Sequence, residues 1–186
     1  MSFSPGDALE HPASDVPHLR DRTTPLHAYD AGLLLLRLSL GLIVASHGSQ
    51  KLFGWFSGPG LTGAGQLFTS LGYPSGRTMA VIAGLSELLG GLGLASGLLT
   101  PLAAAAVVGM MVNAISVKWH GGFFIPNGME YELVLAAGAT ALALTGPGRL
   151  AADRHVPGIR DHRIGFGILA VALGVLIAVV VLLLRN

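Results

Sequence analysis

Residues 77–99 read RTMAVIAGLSELLGGLGLASGLL. Glu87 is the only charged residue between Arg77 and Thr100. Ala80, Ala83, Gly84, Glu87, Gly90, Gly91 and Leu94 fall on one stripe at helical spacing. A stretch this long and apolar matches the ~20 residues needed to cross a hydrocarbon core. It is rich in Ala and Leu without the strict alternation of a barrel strand. It therefore reads as a membrane helix with a carboxylate near its middle and small residues beside that carboxylate, the composition that lets helices approach closely in lipid.

Similar runs lie on both sides. Upstream, residues 31–48 read AGLLLLRLSLGLIVASHG. Downstream, Thr100-Pro101 ends the stretch and opens residues 101–119, since proline suits the first turn of a helix. A fourth run covers 129–145 and stops at Gly146-Pro147-Gly148; a fifth covers 165–184 and contains no polar side chain. Composition agrees: the chain of 186 residues is 52% hydrophobic and 11% charged with mean hydropathy +0.65, against about 25% charged residues in a soluble domain. The sequence predicts an all-α membrane protein: a four-helix transmembrane bundle over 31–153, an Arg-rich loop over 154–164, and an added C-terminal transmembrane helix over 165–184. Residues 1–30, with four prolines and charges of both signs, read as a disordered polar tail rather than a secretory signal. Within linker 49–76, residues 63–72 read as a short interfacial helix beside the aromatic residues Phe53, Trp55 and Phe56.

Composition also limits function. A net charge of +1 argues against nucleic-acid binding, and the absence of cysteine excludes disulfides, thiol redox work and Cys-ligated metals by this chain. No spacing of a metal motif is present. Five spans place the termini on opposite sides. The side carrying Arg20, Arg22, Arg149, Arg154, Arg160 and Arg163 outweighs that carrying Lys51, Arg77, Lys118 and Arg185, which predicts a cytoplasmic N-terminus in a bacterial inner membrane.

Arg37 and Glu87 lie inside spans, where an ionisable group costs roughly 2.5–3.5 kcal/mol. The simplest expectation is an intramembrane ion pair, Arg37 with Glu87, either fixing two spans or serving a site. A second polar set gathers toward the opposite end: His47, Lys51, Asn113, His120, Glu130 and Glu132 are the candidate lining of a pocket for an amphipathic ligand such as a quinone headgroup. His exchanges protons near neutral pH, and a buried Glu can be tuned to accept them.

These residues, in this order, resemble the DoxX family of small bacterial membrane proteins. The likeness rests on Arg37, Gly48-Ser-Gln-Lys51-Leu-Phe, Gly72-Tyr-Pro74, Glu87-Leu-Leu-Gly90-Gly91, Gly97-Leu-Leu-Thr100, Tyr131-Glu132-Leu, and Gly146-Pro147-Gly148-Arg149-Leu150 with Asp153. The family pattern often carries a serine near that aspartate, where this chain has Ala151 and Ala152. The resemblance implies a four-helix membrane core, with Arg37 and Glu87 at the family's in-membrane charged positions and Lys51 at its lysine after the first span. Some members are subunits of thiosulfate:quinone oxidoreductase, and others are linked to membrane complexes handling oxidative or thiol stress. The leading expectation is therefore a subunit of a quinone-linked or oxidative-stress redox assembly, more an accessory than an independent catalyst, with a redox-enzyme partner and an oligomeric form open to it. Two alternatives stand beside it: a small-solute transporter using Glu87, and a scaffold recruiting soluble enzymes through the tail and the 149–163 loop.

Overall fold

A computed structural model describes residues 26–124, 126–156 and 163–186. Among them there are six α-helices and no strand: α1 Leu26–Phe53, α2 Gly60–Ser70, α3 Gly76–Ser96, α4 Thr100–Lys118, α5 Glu130–Thr145 and α6 Ile164–Leu183. Helices α1, α3, α4 and α6 are long and apolar enough to cross a membrane. Helix α5 has 16 residues, about 24 Å at 1.5 Å per residue, which is short of a full hydrocarbon core. It still runs the length of the bundle. Its first turn pairs with the last residue of α4, and the segment after it folds against the first residues of α4.

Two ends can be defined from these contacts. The proximal end holds the start of α1, the α3–α4 turn and residues 146–156. The distal end holds the close of α1, α2, the starts of α3 and α5, and the end of α6. Arg185 and Asn186 reach the α2–α3 turn through Leu71 and Gly72, so α6 crosses back to the distal end.

The first helix begins at Leu26, before the apolar run itself, because Asp30 is buried and accepts a hydrogen bond from the Arg149 backbone at 2.8 Å. Residues 26–30 thus belong to the helix and not to a tail; residues 1–25 and 157–162 of the expected tail and loop lie outside the described residues. The short helix expected at 63–72 is α2, shifted toward its N-terminus.

The α1–α3 interface is the most extensive helix pair among the described residues, and it is closely packed. A Cβ on Gly41 would lie 2.8 Å from the Ala95 Cβ, one on Gly48 would lie 2.5 Å from the Leu88 nitrogen, and one on Gly84 would lie 2.6 Å from the Leu52 Cγ. Gly91 meets the backbone of Ala45 and Gly41 in the same way. Positions 41·95, 45·91, 48·88 and 52·84 are therefore neighbours across one antiparallel seam, which glycine alone can occupy on the crowded side. The apolar core fills the space beyond it, with Leu40, Val44, Leu94, Val107, Met111, Leu135 and Leu142 buried together. Helix α6 docks by the same device: Gly167, Ala170, Gly174 and Ala178 are its buried residues, and Gly174 lies against the Ala105 carbonyl. The fifth span therefore turns one small-residue seam to α4 and α5 and leaves its large side chains to lipid.

Gly91→Val should overpack the α1–α3 seam at a cost of about 1–3 kcal/mol and lower the thermal unfolding midpoint in mild detergent. Gly32→Val, where a Cβ would meet nothing within 4 Å, should leave it unchanged. Equal midpoints for the two variants would contradict the close seam.

Candidate functional site

The seam decides which charges meet. Glu87 lies opposite position 49 of α1, whereas Arg37 lies twelve residues earlier on α1, about 18 Å along the axis at 1.5 Å per residue. The expected Arg37–Glu87 pair does not form. Lys51 Nζ pairs with Glu87 Oε2 at 2.5 Å instead. The Lys51 side chain is 23% exposed and that of Glu87 6%, so the lysine reaches from the distal surface inward to a buried carboxylate.

Arg37 is the largest fully buried side chain. It points to the proximal end, where Nη2 donates to the Leu150 carbonyl at 2.5 Å and Nη1 lies against Gly97. Its Nε and Nη1 have no hydrogen-bond partner among the described residues. Asp153, which interacts electrostatically with Arg37, is already committed. Its carboxylate accepts from the Leu99 nitrogen at 2.7 Å, the Thr100 nitrogen at 3.1 Å and the Thr100 hydroxyl at 3.0 Å. An anionic side chain from a distant segment thus caps the start of α4, where exposed N–H groups favour negative charge. Leu99 is held at φ 49 by this contact, and Gly97 at φ 67 ends α3 with the Leu98 nitrogen bonded to the Gly93 carbonyl. Asp153 and Arg37 Nη2 are thus used in closing the bundle, while two guanidinium nitrogens of Arg37 are left without a partner among the described residues.

The distal end is different. His47 Nε2 and the Tyr131 hydroxyl are 3.1 Å apart, with the two rings edge to face. Lys118 Nζ pairs with Glu132 Oε1 at 2.6 Å. Tyr131 lies within electrostatic reach of both Glu132 and Glu87, so the contacts form one row: Lys51–Glu87, His47–Tyr131, Lys118–Glu132. Glu132 is 6% exposed and its Oε2 has no partner among the described residues. The row lies over apolar core side chains, including Val44, Met111 and Leu135.

Three of the six expected pocket residues share this row and three do not. His47, Lys51 and Glu132 come together. Glu130 is half-buried in the first turn of α5. Asn113 faces elsewhere, accepting from the Tyr73 hydroxyl at 3.1 Å on the α6 side of α4. His120 is exposed on a single 3-10 turn after α4. Tyr131 and Lys118 were missed as site residues, although Tyr131 adjoins Glu132 and Lys118 lies on the turn facing it. Among the described residues no group of three or more His, Asp or Glu is arranged to hold a metal ion.

This is a helical membrane bundle with a half-buried row of titratable side chains at one end. The chain belongs to the DoxX family, whose profile matches residues 32–125. It is similar to the Bacillus subtilis (strain 168) protein named "Putative oxidoreductase CatD", at 34% identity over 69% of this chain and 90% of that protein. It is also similar to the Mycobacterium tuberculosis (strain ATCC 25618 / H37Rv) protein named "Uncharacterized membrane protein Rv3486", at 31% identity over 67% of this chain and 80% of that protein. No solved structure matches the chain.

Glu87→Ala should leave the Lys51 ammonium unpaired and destabilise the bundle by about 1–3 kcal/mol. Lys51→Met combined with Glu87→Leu should recover most of that loss. Arg37→Met and Glu87→Ala should instead be additive within about 0.5 kcal/mol, as for groups more than 10 Å apart. Detergent unfolding of the set checks this; strong coupling of 37 with 87 would overturn the assignment.

Proposed function

We propose that the protein is an accessory subunit of a membrane redox assembly, and that its distal polar row receives the headgroup of a quinone. The observation that carries this reading is the row itself. Lys51, His47 and Tyr131 can donate to carbonyl oxygens, and the Glu132 Oε2 can accept from a hydroxyl. Such a set can hold a headgroup in either its carbonyl or its hydroxyl form and pass protons, because neutral His and carboxylate groups exchange them readily in such surroundings. The chain has no cysteine and so no thiol redox centre of its own, and in this reading a partner supplies the electrons. That partner is a redox enzyme. The name of the Bacillus relative supports the same class. We place the protein in the bacterial inner membrane with its N-terminus cytoplasmic, on the arginine excess of the proximal loops.

Purification of the native complex in gentle detergent, with mass spectrometry of co-purifying proteins and extracted quinones, tests the reading. A redox-enzyme partner and near-stoichiometric quinone are expected. Tyr131→Phe and Glu132→Gln should keep the partner and retain several-fold less quinone. A chain that purifies with neither would contradict the proposal.

A further inference from the structure

A second site lies on the other side of α4. Helices α3 and α6 both pack on α4 and leave a cleft between themselves, of about 340 Å³. That volume is at the lower end of the roughly 300–1,000 Å³ typical of small-molecule sites. Ile82 of α3, Leu102 and Ala106 of α4, and Leu173 and Ile177 of α6 form its walls. Ile82, Leu102, Leu173 and Ile177 are each about half exposed, so the cleft opens sideways into the hydrocarbon.

Its polar groups are ordered by depth. No charged side chain lines it. At the distal rim Arg185 stacks on Tyr73, 5.5 Å from the ring centroid, and gives Nε to the Leu71 carbonyl. This leaves the outer guanidinium nitrogens for an anion, in the fork geometry that suits phosphate. Just below, the Tyr73 hydroxyl donates to Asn113 Oδ1, and Asn113 Nδ2 donates one hydrogen to the Gly109 carbonyl. One amide hydrogen of Asn113 and the lone pairs of the Tyr73 oxygen are left over. From Asn113 down to Leu102 the wall is apolar apart from Ser86 of α3, for about 16 Å at 1.5 Å per residue. Cation, neutral hydrogen-bonding pair and apolar trough follow one another from rim to floor.

A glycerophospholipid presents the complementary groups in the same order: phosphate, ester carbonyl, hydrocarbon chain. We propose that this cleft binds one glycerophospholipid, with one acyl chain along the α3–α4–α6 walls, an ester carbonyl at Asn113 and the phosphate at Arg185. The second chain stays in the bilayer, since the volume accommodates only one. The bound lipid completes the wall that α6 leaves open, and joins the added helix to the family core.

The test is native mass spectrometry of the full chain in mild detergent, with added palmitoyl-oleoyl phosphatidylglycerol or palmitoyl-oleoyl glycerol, which has the same chains without phosphate. One phosphatidylglycerol should be retained at least tenfold more strongly than the uncharged lipid. Arg185→Gln should remove most of that preference. Ala106→Phe and Ile177→Trp, which fill the trough from opposite walls, should each abolish retention. Ile177 is exposed, so its variant keeps the fold and guards against misreading an unfolded Ala106 variant. Equal retention of the two lipids, or undiminished phosphatidylglycerol on Ile177→Trp, would overturn the proposal.

Discussion

The rest of the bundle depends on how closely α1 and α3 approach. In lipid, apolar side chains gain little by moving from one another to hydrocarbon, so helix association rests on packing and on polar contacts. Gly41, Gly48, Gly84 and Gly91 remove the side chains that would hold the two backbones apart. Once these positions interlock, sliding by one turn would drive a Leu or Ala into backbone. The seam therefore fixes an axial register, and the register decides that Glu87 meets Lys51 and not Arg37.

The allocation is asymmetric. At the proximal end Asp153 caps the start of α4, Asp30 holds the chain at Arg149, and Arg37 gives Nη2 to the Leu150 carbonyl. These contacts hold α1 to the α3–α4 turn and to the chain after α5, and they are structural in what they bind. At the distal end three pairs gather at the close of α1 and α4 and the start of α5, with a carboxylate oxygen of Glu132 unpartnered. A bilayer protein retains such a row at a cost in stability. The donors and the acceptor gathered in that row are why we propose a ligand there.

The helical membrane class was legible because hydropathy and small-residue spacing are local properties of residues 31–48, 77–99, 101–119 and 165–184. The charge pairing was not. Arg37 and Glu87 look complementary when depth is counted from the ends of the apolar runs, but helix α1 begins at Leu26, and its register against α3 is a property of two helices together. Position 51 lies beyond the apolar run, so Lys51 reads as a residue of the pocket mouth and not as the partner of Glu87, until the seam brings the two together. Asp153 is visible in sequence only through the family resemblance. Its capping of Thr100 joins residues 53 apart, and no periodicity carries such information. Asn113 sits on the same polar stripe as Ser116 and His120, yet the arrival of α6 turns it toward a separate cleft.

The central claim is the α1–α3 register, and disulfide trapping in membranes tests it most directly in a chain that has no cysteine of its own. Leu52→Cys with Gly84→Cys should cross-link readily on mild oxidation, because these positions face each other across the seam. Arg37→Cys with Glu87→Cys should not, being about 18 Å apart along the axis. Cross-linking at 37 and 87, with none at 52 and 84, would contradict the register and with it the assignment of Lys51 to Glu87.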